Sequence, residues 1–190
     1  YFWGKVVGIT AVFVSLNLLS VLICFCLNIW GSIAPFNPWY SFFYLLTLTF
    51  PSLVFMLGVT LWLATLTRLR ILSIFLSLCL MYISITVSDK VFQGNLDFTG
   101  ASLSNLFSSA TGHADLGYYL IQRLAFFLLG CGLIVWSLLR VKRLPNELKS
   151  VSRLRLAGIL LVSVALLSEG ICVYRFTREN VVRDQYRASF

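Results

Sequence analysis

Long uncharged apolar runs alternate with short basic gaps along this chain. The first run, Val6 to Trp30, carries no charge, and its amides are Asn17 and Asn28. At about 1.5 Å per helical residue it reaches ~37 Å, enough for a hydrocarbon core of about 30 Å with some tilt. A second run extends from Trp39 to Thr67. Pro51 within it predicts a kink, and Gly58 leaves a small surface for close helix approach. The third, Ile71 to Val87, is the shortest and holds Ser73, Ser77, Ser84 and Thr86. Those hydroxyls suit bonds to the carbonyl one turn back or to a partner helix. The fourth covers Tyr118 to Leu139, with Arg123 near its start and Gly130-Cys131-Gly132 at its middle. The fifth covers Leu154 to Tyr174 and contains Glu169. The pattern predicts an all-α, polytopic integral membrane helical bundle with about five transmembrane helices (6–30, 39–67, 71–87, 118–139 and 154–174).

The connections differ in character. Gly31 to Pro38 is a tight break with two prolines. Residues 88–117 form a polar loop of about thirty residues, expected to be extracytoplasmic. Within it Leu96, Phe98, Leu103, Leu106 and Phe107 are spaced for a short amphipathic helix at the interface. Residues 145–153 read as a cytoplasmic linker between a first unit, 1–144, and the additional helix 154–174. The charged residues 175–190 read as the start of an extracytoplasmic segment. The absence of an initial Met and the charged end create the expectation that natural sequence precedes residue 1 and follows residue 190.

Composition sharpens this picture. Of 190 residues, 59% are hydrophobic and only 12% charged, against about 25% charged in an ordinary soluble domain. Mean hydropathy is +0.89. So few charges cannot cover a globule of this size without large apolar patches, which argues against a soluble enzyme and makes lipid the solvent for much of the surface. The net charge of +8 sits mainly in the gaps. That points to membrane orientation and anionic lipid rather than nucleic acid, for which no basic and aromatic interleaving exists. The side holding residue 1 carries Lys5, Arg68, Arg70, Arg140, Lys142, Arg143, Lys149, Arg153 and Arg155 against Glu147 alone. The opposite side carries Lys90 with Asp89, Asp97 and Asp115. Short-loop basic bias marks the cytoplasmic side, so residue 1 is expected inside and the C-terminal end outside. The arginines of the tail, Arg175, Arg178, Arg183 and Arg187, run against that bias. Translocation of a longer segment accounts for them, the rule being weak there.

Candidate chemistry is sparse. Cys24, Cys26, Cys79, Cys131 and Cys172 all lie in apolar runs and read as small buried hydrophobes. His113 is the only histidine, near Ser108, Ser109, Thr111 and Asp115, without the spacing of a nucleophile, base and orienting group. No metal spacing is present, and Gly130-x-Gly132 lacks the lysine and hydroxyl of a phosphate loop. Two ionisable residues fall inside spans. Arg123 reads first as snorkelling to the outer interface, with pairing to Asp115 or an anionic substrate as alternatives. Glu169 reads as a structural or interfacial group, or one facing a polar cleft. No catalytic, cofactor or metal residue is assigned.

The order of these pieces resembles the permease subunit of ABC transporters of the ABC-2 type. The resemblance rests on Gly4-Lys5-Val6-Val7-Gly8 opening a long helix, and on Phe36-Asn37-Pro38-Trp39-Tyr40 before a span containing Pro51. It rests also on Leu66-Thr67-Arg68 closing that span, and on Tyr118-Tyr119-Leu120-Ile121-Gln122-Arg123-Leu124 leading to Leu138-Leu139-Arg140-Val141-Lys142-Arg143-Leu144. It covers residues 4 to 144. It implies that the first four spans correspond to the third through sixth of a six-helix domain. The fifth helix and tail depart from that plan. It further implies a bacterial plasma membrane, a permease homodimer or heterodimer, and a separate cytoplasmic subunit that binds ATP and magnesium. Arg68, Arg70, Arg140, Lys142 and Arg143 would then contact that subunit or lipid at the cytoplasmic rim. A non-transporting membrane anchor and a membrane-embedded enzyme are the alternatives. The latter is disfavoured because no set of polar catalytic groups shares one depth.

Overall fold

The structure is a computed structural model and describes residues 2–31, 42–67, 69–91, 97–99, 107–108, 112–113, 116–140 and 148–188. Its helices are α1 (Phe2–Gly31), a π-helical turn (Leu45–Thr49) running into α2 (Phe50–Thr67), α3 (Arg70–Val91), α4 (Leu116–Arg140) and α5 (Leu148–Ala188). Two short antiparallel strands, β1 (Phe107–Ser108) and β2 (Gly112–His113), lie in the polar loop. Four helical stretches are long and apolar enough to cross a bilayer: Gly4–Gly31, Phe42–Thr67, Leu116–Arg140 and Val151–Arg175. Ile71–Val87 is a shorter apolar helix. It reaches about 26 Å, the low end of a span. The chain is an all-α polytopic membrane bundle.

Proline shapes the second span. Pro51 has no N–H for the Thr47 carbonyl, and its ring crowds that group. The chain answers with a widened π turn over Leu45–Thr49, a local re-satisfaction that membrane helices tolerate. The Thr47 hydroxyl donates to the Phe43 carbonyl at 2.8 Å, and Ser52 to Leu48 at 2.7 Å.

The fifth apolar run is the middle of a single helix of 41 residues, Leu148–Ala188. At about 1.5 Å each these span ~60 Å, twice the hydrocarbon core, so the helix projects beyond it. The charged residues from Arg175 to Ala188 continue that helix. The amphipathic helix expected in the polar loop does not form at the described positions. Phe98 sits in a turn and Phe107 in β1, while Leu96, Leu103 and Leu106 lie outside the described residues.

α4 is the hub, packed between α2 and α5. Glycines on nearly opposite faces of α4 permit this, since two residues turn a helix by about 200°. A Cβ on Gly130 would fall 2.7 Å from the Phe55 backbone of α2, and one on Gly58 would strike the Gly130 carbonyl. A Cβ on Gly132 would fall 2.6 Å from a Val162 methyl of α5. The Gly130-x-Gly132 pair is therefore a two-sided helix crossing. Between α2 and α4 lies the core cluster of Phe55, Val59, Phe98 and Phe126. Phe55 meets Phe98 at 5.1 Å and Phe126 edge-on at 5.3 Å, distances that favour aromatic pairs. α3 attaches to α2, where the Thr60 and Ser77 hydroxyls lie 3.1 Å apart. The rest of α3 is largely exposed, as is α1, whose apolar residues lie on all sides. Such helices are stable in lipid or against another membrane subunit, not in water.

Candidate functional site

The most polar place in the bundle lies toward the N-terminal end of α4. Arg123 is seven residues into that helix, about 10 Å along its axis. It is 1% exposed. A buried guanidinium is costly unless its N–H groups are satisfied. Here Nη1 donates to the Phe98 carbonyl at 2.7 Å and Nη2 to the Asp97 carbonyl at 3.0 Å. Nη2 also approaches Oε1 of Gln122 at 3.4 Å. The Ser52 hydroxyl lies 2.6 Å from the same Phe98 carbonyl. Asp97 shapes the turn, its Oδ1 accepting the Thr99 N–H at 2.8 Å and the Thr99 hydroxyl. This local turn chemistry competes with helix formation. Tyr119 and Phe126 present their rings 5.4 and 6.0 Å from the guanidinium carbon, within cation–π range.

Both strong bonds of Arg123 run to carbonyls of residues 97–98. Arg123 is held inside the bundle by backbone carbonyls of the polar loop. Asp115, the partner considered from sequence, lies outside the described residues.

α5 brings Glu169 to the same depth. The helices run antiparallel, with the Tyr118 hydroxyl 3.4 Å from the Cys172 carbonyl and Gly132 beside Val162. Glu169 is within electrostatic reach of Arg123. Both its carboxylate oxygens are buried without a hydrogen-bond partner among the described residues, as are Arg123 Nε and the Tyr119 hydroxyl. The site therefore holds unspent donor and acceptor capacity shared between α4 and α5.

A cavity of about 610 Å³ runs beside this knot. Phe98 and Thr99 close one end, and Ile9 of α1 and Leu61 of α2 line it farther along. The walls are mainly apolar, interrupted by Asn17, Thr49, Ser52 and Thr60. Its size is typical of small-ligand sites, roughly 300–1,000 Å³.

At the opposite end of α4 is Arg140, its last residue, exposed. It borders a second cavity of about 390 Å³ with Trp62, Trp136, Leu139, Arg155 and Ile159. Arg70 opens α3. Arg68, Lys142 and Arg143 lie outside the described residues, so of the expected rim set Arg140 alone is placed with its surroundings.

His113 is paired through the backbone with Phe107, and Ser108 with Gly112. Among the described residues no group of three or more His, Cys, Asp and Glu side chains is placed to hold a metal ion. Sequence reasoning missed Gln122, Asp97 and Phe98 as partners of Arg123, and Ser52 as a second contact of the Phe98 carbonyl. The one available signal was the Gln122-Arg123 pair, the sole adjacent amide and cation inside an apolar run. No protein-family model, curated protein or solved structure matches the chain, and what stands is a membrane-embedded, multi-helix protein.

Proposed function

We infer that this chain is a permease subunit, supplying membrane helices and a translocation path to a transporter driven by ATP hydrolysis on a separate cytoplasmic subunit. The observation that carries this reading is the ~610 Å³ cavity capped by a turn that Arg123 holds from inside the bundle. A plain anchor has no need of a buried cation, a carboxylate with no hydrogen-bond partner among the described residues, and a cavity beside them. Intramembrane ionisable groups are expensive and ordinarily mark a pathway or a moving contact. The order of the apolar segments and the basic rim support the same reading through their resemblance to ABC-2 permeases. The exposed apolar faces of α1 and α3 suit a second permease subunit. On this reading the chain is not catalytic itself, and ATP and magnesium belong to the partner.

The test is purification of the full chain from its native membrane in mild detergent. The expected result is a stable complex with an ATP-binding subunit, whose ATPase activity changes when Arg123 is replaced. A complex with no nucleotide-binding component would overturn this reading and leave that of a membrane anchor.

A further inference from the structure

The cavity bordered by Arg140 combines three features. Its two cations come from different helices, Arg140 at the end of α4 and Arg155 in the first turns of α5. Its two indoles also come from different helices, Trp62 of α2 and Trp136 of α4. Trp136 is four residues from Arg140, about 6 Å along the helix. Trp62 is five residues from the end of α2. Both indoles therefore sit one to two turns inside the helix ends, the depth of an interfacial aromatic belt. Leu139 and Ile159 complete an apolar wall that continues along α5 through exposed Leu156 and Leu160.

We propose that this cavity binds one anionic phospholipid of the leaflet bordering the C-terminal end of α4. Arg140 and Arg155 hold the headgroup phosphate, Trp62 and Trp136 flank the glycerol region, and an acyl chain lies along Leu139 and Ile159. The charge is complementary: among the described residues, two guanidiniums and no acid line the cavity. Arginine pairs with phosphate through two parallel N–H···O bonds, and the ammonium of a zwitterionic headgroup would add repulsion against the two guanidiniums. Basic pockets between membrane helices recognise anionic headgroups on the same grounds. The volume of about 390 Å³ admits a headgroup but not a folded protein segment. Binding there would tie α2, α4 and α5 together at the end remote from Arg123. The inference stands apart from the transport reading, because any membrane protein with this cavity would show it.

The experiment uses the full chain in nanodiscs of phosphatidylcholine with a minor fraction of phosphatidylglycerol, followed by stepwise delipidation and native mass spectrometry. The expected result is preferential retention of phosphatidylglycerol, reduced roughly tenfold or more in R140Q/R155Q. R153Q removes an exposed arginine of α5 that does not line the cavity and should leave retention unchanged. Equal loss in R153Q would show diffuse surface attraction and overturn the proposal, as would equal retention of the two lipids. Excess inorganic phosphate should not displace the lipid, and displacement would reassign the site to a soluble anion. Should R140Q/R155Q not yield folded protein, quenching of wild-type tryptophan fluorescence reads the same point. Brominated phosphatidylglycerol should quench more than brominated phosphatidylcholine at equal mole fraction, and equal quenching contradicts the proposal.

Discussion

Arg123 donates to the carbonyl of Phe98 at 2.7 Å across 25 positions of sequence, so a cation inside a membrane helix fixes the fold of a loop outside it. The same contact seats the Phe98 ring between Phe55 and Phe126. Polar and apolar terms reinforce each other there, since the aromatic packing shields the hydrogen bonds from competing donors.

Arg123→Gln should therefore cost more than Glu169→Gln. Arg123 makes two bonds to loop carbonyls, each charge-assisted bond contributing about 1.5–3 kcal/mol. Glu169 makes none among the described residues. Thermal unfolding in detergent should show a fall of several degrees or more for R123Q and a much smaller change for E169Q. A cysteine at Thr99 should become more reactive to maleimide in R123Q only. Equal effects of the two substitutions would count against the knot.

Ser52→Ala should be mild. The Ser52 hydroxyl has the Phe98 carbonyl at 2.6 Å and the Leu48 carbonyl at 2.7 Å, but it has one proton to give. Arg123 continues to satisfy Phe98 after the change. The expected loss is about 1 kcal/mol, with the reactivity of a cysteine at Thr99 unchanged. A loss as large as that of R123Q would show that the serine, not the arginine, holds the turn.

Gly130→Ala should disrupt the contact of α2 with α4. The new methyl would meet backbone atoms of Phe55 and Val54 at 2.7 Å, and backbone cannot swing aside as a side chain can. Overpacking of this kind costs roughly 1–3 kcal/mol. Gly170→Ala meets nothing within 4 Å and should be neutral or slightly stabilising. Fluorescence-detected size exclusion after heating separates the two. Comparable behaviour of both variants would place the close crossing elsewhere.

The spans were legible because hydropathy registers the solvent directly. Val6 to Trp30 was expected and Phe2–Gly31 is helical; Tyr118 to Leu139 was expected and Leu116–Arg140 is helical. The true length of α5 was not legible. Past Tyr174 the helix leaves the hydrocarbon, and hydropathy no longer distinguishes helix from loop. Pro51 announced a disturbance but not its form, because kink and π turn both relieve the crowded Thr47 carbonyl. The glycines at 130 and 132 were visible. Their opposite faces follow from helix geometry, but the partners they admit depend on which helices meet. Least legible was Phe98, an aromatic residue in a polar loop. Its burial depends on Arg123 and Ser52, which are distant in sequence and near only in the folded bundle.

The bundle is a membrane bundle, and the proposed orientation puts the end bearing the Arg123-held turn outward and the cavity bordered by Arg140 and Arg155 inward. Labelling of single cysteines in intact cells by a membrane-impermeant maleimide, in a variant with the five native cysteines replaced, tests it most directly. Ser108→Cys should react without permeabilisation, and Ser150→Cys only after it. Reaction of Ser150→Cys in intact cells, or recovery of the chain in the aqueous fraction without detergent, would contradict the account.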